Sequence, residues 1–92
     1  MHTYVGGLRI QMDYLEHPKM RCSWREAEQI VNGAKRPYPR QIDNGKIMVR
    51  GQTRDGRWLQ VIYVLETGNV VFVIHARPLT EMEKRQIRRN RR

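Results

Sequence analysis

The sequence predicts a small α+β domain, ordered β-α-β-β-β-α, in which an antiparallel meander sheet is packed by helices. Three observations carry this expectation. Asp55-Gly56 separates an alternating segment from an apolar one and supplies the positive φ angles of a tight hairpin. Ser23-Trp24-Arg25-Glu26 and Thr80-Glu81-Met82-Glu83 both read as capping boxes, which open helices. The chain has 92 residues, enough for one modest core and no second domain.

The elements follow in order. Leu8 to Tyr14 alternates apolar and polar and reads as a half-buried strand. Pro18 removes a donor and biases His17 away from helix, so Glu16 to Lys19 is a turn or loop. In the helix from Ser23, Ala27, Ile30, Val31 and Ala34 recur at one-face spacing. Gly33 stands where a left-handed cap would stop it. Lys35 to Arg40 holds two prolines and reads as an unpaired loop.

Gly45 to Thr53 alternates again, with Lys46, Arg50 and Gln52 on one side, as in an outer strand with one wet face. Trp58 to Leu65 is apolar at nearly every position. It is therefore expected at the sheet centre, covered on both faces. Thr67-Gly68-Asn69 turns the chain into the last strand, Val70 to Ala76. A basic helix follows over about residues 80–92, with Met82 and Ile87 as its short apolar stripe.

A two-residue turn at Asp55-Gly56 pairs Arg54 with Arg57 and Gly51 with Gln60. Trp58 and Gln60 then share a face with Gly51 and Thr53, and Gly51 leaves room above them. An even second loop adds His75 and Arg77 to that patch; an odd loop turns them away. The opposite face, with Leu59, Val61, Tyr63, Leu65, Phe72 and Ile74, is expected to take the helix carrying Ile30 and Val31. Bland roles exist for each patch member. His75 can be a structural histidine and Trp58 a packing residue. Arg77 can cap carbonyls or pair with Glu81 or Glu83.

Charge points to the partner. The chain carries 18 Lys and Arg against 9 Asp and Glu, a net +9. Polyanions, nucleic acid first and an acidic protein second, are the natural ligands of such a balance. Arg50, Arg54 and Arg57 rim the strand ends, and Lys84, Arg85 and Arg88 line the terminal helix. Cys22 is the one cysteine, which excludes a disulfide framework and a cysteine-based metal site. His2, His17 and His75 lack metal-ligand spacing, so no metal is expected. No apolar run suggests a signal peptide or membrane span, and a reducing cytoplasm fits.

The stretches Gly56-Arg57-Trp58-Leu59-Gln60-Val61-Ile62-Tyr63 and Val71 to Arg85 add a resemblance. The latter contains Ala76-Arg77-Pro78-Leu79-Thr80-Glu81-Met82-Glu83. Together they resemble the BrnT family of type II toxins, small ribonucleases of the RelE-like superfamily, over about residues 20–92. The chain departs from the family pattern at His75, where a small hydroxyl residue is usual, and in its first stretch, Met1 to Lys19. The resemblance implies a RelE-like fold, an RNA substrate, a cognate antitoxin forming a hetero-oligomer with the chain, and cleavage without a cofactor. The RNA 2′-hydroxyl would attack the adjacent phosphate. Arg77 would stabilise the phosphorane, His75 would move a proton, and Gln60 would complete the site. Trp58 would stack on a base, while Arg50, Arg54, Arg57, Lys84, Arg85 and Arg88 would follow the backbone. The competing reading is a non-catalytic basic module that binds nucleic acid or an acidic partner.

Overall fold

Two glycines with positive φ, Gly56 at 88° and Gly68 at 81°, mark the turns on either side of the central strand. The computed structural model describes residues 2–5, 8–12, 22–68 and 70–90. Along the chain these form β1 (His2–Val5), β2 (Leu8–Met12), α1 (Trp24–Asn32), β3 (Arg40–Gln41), β4 (Lys46–Gln52), β5 (Trp58–Glu66), β6 (Val70–Pro78) and α2 (Glu81–Asn90). The strands make one sheet in the order β1-β2-β6-β5-β4-β3. Strands β3 to β6 are an antiparallel four-strand unit. Strand β2 joins β6 in parallel, and β1 pairs antiparallel with β2.

The predicted centre holds: β5 lies between β4 and β6. Two details differ. The strand β1 and the two-residue β3 are additions, and β3 makes Arg40 a paired residue opposite Met48. The proline constraint ends at Pro39, so the next residue is free to join the ladder. The predicted first strand is present as β2; Asp13 and Tyr14 lie outside the described residues.

The first hairpin turn contains three residues, not two. The Thr53 amide donates to the Arg57 carbonyl at 2.8 Å and the Gly56 amide donates to Thr53 at 3.0 Å. The Thr53 hydroxyl also accepts from the Arg57 amide at 3.0 Å. The extra residue slips the register by one, so Arg50 opposes Gln60 and Gly51 opposes Leu59. Because side chains alternate, the slip exchanges the faces of β4. Gly51 and Thr53 leave the predicted patch, while Arg50 and Gln52 enter it. A Cβ at Gly51 would meet Ile30 Cδ1 at 3.6 Å, so this glycine lies under α1 and opens no space on the other face.

The second turn is also odd. Glu66 opposes Val70, an odd separation that alone would turn His75 and Arg77 away from Gln60. A β-bulge between the Tyr63-Val73 and Ile62-His75 pairs supplies one more residue and reverses the parity. Gln60 therefore opposes Arg77, while nearer the turn Val64 opposes Phe72.

Helix α1 starts as its capping box dictates. The Ser23 hydroxyl accepts from the Glu26 amide at 3.2 Å and the Glu26 carboxylate accepts from the Ser23 amide at 3.0 Å. Its end differs from expectation, because Gly33 has φ −94° rather than a left-handed value. The glycine is still favoured: an added Cβ would lie 3.0 Å from the Gln29 carbonyl oxygen.

The core lies between α1 and one sheet face. It contains Cys22, Ala27, Ile30, Val49, Leu59, Val61, Tyr63, Val71, Val73 and Ala76, with Val31, Ala34, Tyr38 and Ile47 packed around it. Phe72 and Ile74 are only half-buried, and Leu65 is 54% exposed. The odd loop puts Val71 and Val73 on the helix side in their place. Central position therefore does not cover β5 on both faces along its whole length.

Candidate functional site

Arg50, Gln60 and Arg77 form one cross-strand row over β4, β5 and β6. Directly opposed residues share a face, so the three side chains rise on the side away from α1. Trp58 stands on the same face toward the hairpin turn. The next row in the other direction is Arg40, Met48, Ile62 and His75.

Helix α2 lies over the Arg50-Gln60-Arg77 row. Its capping box forms as predicted: Thr80 Oγ1 accepts from the Glu83 amide at 3.2 Å, and Glu83 Oε1 accepts from the Thr80 amide at 2.8 Å. The same carboxylate takes Arg77 bidentately, Nη1 to Oε1 at 2.8 Å and Nη2 to Oε2 at 2.7 Å. Arg50 Nη2 donates to Oε2 at 2.9 Å. Four donors thus fill the acceptor positions of one carboxylate. Arg77 also caps the Pro78 carbonyl at 3.0 Å. The bland reading of Arg77 is therefore realised in both its forms, with Glu83 as the partner rather than Glu81.

This geometry sets the electrostatics. The Arg77 hydrogen bonds, with help from the Thr80 amide and Arg50, hold the Glu83 carboxyl down at about 2, against partial burial that favours the neutral acid. Arg77 is correspondingly held more firmly protonated by Glu83. Two guanidiniums share one carboxylate, so the cluster keeps a net positive charge.

Gln60 is buried and its Oε1 accepts from Arg50 Nε at 2.9 Å. Its place is beneath the arginine, as a support. His75 and Trp58 are half-buried on the same face. The structure therefore gathers Trp58, Gln60, His75 and Arg77 on one face and adds Arg50, but separates Thr53. Arg57 turns toward α1, where Nη1 meets Glu26 Oε2 at 2.6 Å. Arg54 lies at that turn too, its amide donating to Gln29 Oε1 at 2.9 Å. The predicted Arg50-Arg54-Arg57 rim is thus divided between two sides of the sheet. On α2, Lys84 pairs with Glu81 at 3.0 Å, while Arg85 and Arg88 are exposed. Met82 is 69% exposed and Ile87 is buried, so only half of the predicted stripe holds the helix down.

The sequence reading missed Glu83 as the hub of the site, though its capping role was visible. It also missed Gln86, whose Oε1 accepts from Arg50 Nη1 at 3.3 Å. The spacing of Glu83 and Gln86, three residues apart and so on one helix face, was the available signal.

Other chemistry is sparse. Among the described residues no three His, Cys, Asp or Glu side chains gather to hold a metal ion. No described helix is long and apolar enough to cross a membrane. Burial pushes the Cys22 thiol up to about 11, which makes it a poor nucleophile. Compared with known proteins, the chain matches no family model, no curated protein and no solved structure.

Proposed function

We propose that this chain is a metal-independent endoribonuclease of the type II toxin class, with a RelE-like arrangement, acting in the cytoplasm. The observation that carries the reading is the placement of Arg77 in one row with Arg50, with His75 one row away on the same face. Phosphoryl transfer by the RNA 2′-hydroxyl needs no protein nucleophile. It needs the phosphate held in line, the phosphorane charge stabilised and two protons moved. Arg77 presents a planar fork suited to phosphate oxygens. Arg50 adds a second positive charge at hydrogen-bond distance from the same anion position, now filled by Glu83. His75 supplies an imidazole, a side chain able to take or give a proton. Trp58 offers a stacking surface one row away, toward the hairpin turn.

Such an activity requires restraint during growth. A cognate antitoxin with an acidic segment suits the cationic row and α2, and would form the resting hetero-oligomer.

The test is incubation of the purified chain with RNA in EDTA. Cleavage leaving 2′,3′-cyclic phosphate ends, abolished by Arg77→Ala in a folded protein, supports the reading. Intact RNA with the parent chain defeats it. One observation favours a second reading, a non-catalytic RNA-binding module: Glu83 already occupies both terminal nitrogens of Arg77. Binding without cleavage selects that alternative.

A further inference from the structure

Beside the row, a groove of about 350 Å³ is lined by Tyr38, Arg40, Arg50, Gln86 and Arg89. Its volume falls within the range of ligand clefts, about 300–1,000 Å³. Three of the five lining residues are arginines and none is acidic.

The arginines differ in their bonding. Arg50 is spent: Nε on Gln60, Nη1 on Gln86 and Nη2 on Glu83. Arg40 and Arg89 are exposed, and neither makes an ion pair or side-chain hydrogen bond among the described residues. Arg40 reaches the groove from β3, in the row that contains Met48, and Arg89 from the last turn of α2. Two guanidiniums without a partner among the described residues converge on a fixed third, and no carboxylate lines the groove. That arrangement is repulsive when empty and favourable around an anion. Tyr38 adds an aromatic wall, half-buried against the core.

We propose that this groove binds the phosphate backbone of single-stranded RNA, as a subsite beside the Arg77 centre. The inference rests on the RNA-directed reading above and gives the strand its path. Arg40 and Arg77 sit on strands three places apart, about 14 Å at sheet spacing. Arg50 joins the two places: it lines the groove and shares Glu83 with Arg77. A strand bound at Arg77 would reach Arg40 and Arg89 along the flank of α2, with Arg50 as part of the groove wall. An aromatic side chain among cations is the pattern that holds single strands, by stacking and by phosphate contact. An acidic protein segment would use the cations but not the aromatic wall.

The test uses a short, dye-labelled 2′-O-methyl oligonucleotide, which lacks the attacking hydroxyl and stays intact. Its affinity is measured against salt for the parent chain, for Arg40→Gln/Arg89→Gln, and for Arg25→Gln/Lys35→Gln. The last removes the same charge from the α1 region, outside the groove. Loss of two phosphate contacts lowers the slope of log affinity against log salt by about 1.4. The groove variant is expected to show that drop and to bind about tenfold or more weakly at low salt. The α1-side variant is expected to follow the parent. A groove variant with the parent's slope overturns the inference, as does an equal loss in the α1-side variant. So does a parent that ignores the oligonucleotide yet binds poly-glutamate through Arg40 and Arg89. Unmodified RNA separates the two proposals. A lowered slope in a chain that cuts no RNA leaves the groove standing and defeats the nuclease; cutting with an unchanged slope does the reverse.

Discussion

Arg77 meets Glu83 fork to fork, with Nη1 on Oε1 at 2.8 Å and Nη2 on Oε2 at 2.7 Å. The pairing joins the last strand to the first turn of α2, because Glu83 is also the reciprocal residue of the Thr80 capping box. One carboxylate therefore fixes the helix start and neutralises the residue proposed to bind phosphate.

Glu83→Gln should separate these roles. The neutral amide keeps a capping acceptor and loses the anion shared by Arg77 and Arg50. Stability should fall by about 1–3 kcal/mol. At about 4–8 °C per kcal/mol for a domain of this size, thermal melting will show it. RNA affinity should rise, since two guanidiniums are released. A variant as stable as the parent would show that the cluster adds nothing to the fold.

The same carboxylate sets an acid limit. Its value is about 2 in the folded chain against an ordinary 4.5, so the unfolded chain binds the proton more readily. The stabilisation is fully present above about 4.5 and is lost as pH falls from there toward 2. Urea titrations across that window should show a steeper decline for the parent than for Glu83→Gln. Parallel declines would place the acid sensitivity elsewhere.

For catalysis, Arg77→Ala should abolish RNA cleavage while RNA binding through α2 persists in weakened form. His75→Ala should lower the cleavage rate by about 10²–10⁴-fold. A His75→Ala rate equal to the parent's makes that residue structural, as single strand histidines commonly are.

Core substitutions test the faces. Ile30→Ala should cost about 2–5 kcal/mol, because the side chain is 2% exposed under the sheet. Phe72→Ala should cost less, under about 2 kcal/mol, because the ring is half-buried on the opposite face. Equal costs in denaturant melts would argue that Phe72 belongs to the main core.

The capping boxes, the central strand and the apolar stripe of α1 were legible because each rests on local pattern. Ser23 with Glu26 and Thr80 with Glu83 need no tertiary knowledge. The face assignment was less legible, since it depends on counting turn residues, and one miscount exchanges every side chain. Asp55-Gly56 suggested a two-residue turn, but the Thr53-Arg57 pairing makes it three. The bulge beside Tyr63 leaves no local mark in an apolar run. It nevertheless restored the Gln60-Arg77 pairing that an odd loop would have destroyed. The partner of Arg77 was named as one of two acids, and helical phase selected Glu83. The groove of Tyr38, Arg40 and Arg89 was hidden because β3 is only two residues long and follows two prolines.

That bulge also lets one ribbon serve two faces. It divides the β5–β6 hairpin into an outer half near Thr67 and Gly68 and an inner half carrying Arg77. The outer half buries Tyr63, Val71 and Val73 in the core and pairs with β2. Beyond the bulge the inner half keeps Arg77 beside Gln60 on the opposite face. A residue inserted in the tip would turn Val71 and Val73 out of the core. The length of this outer turn is therefore held by packing, far from the arginine row that the bulge brings into register.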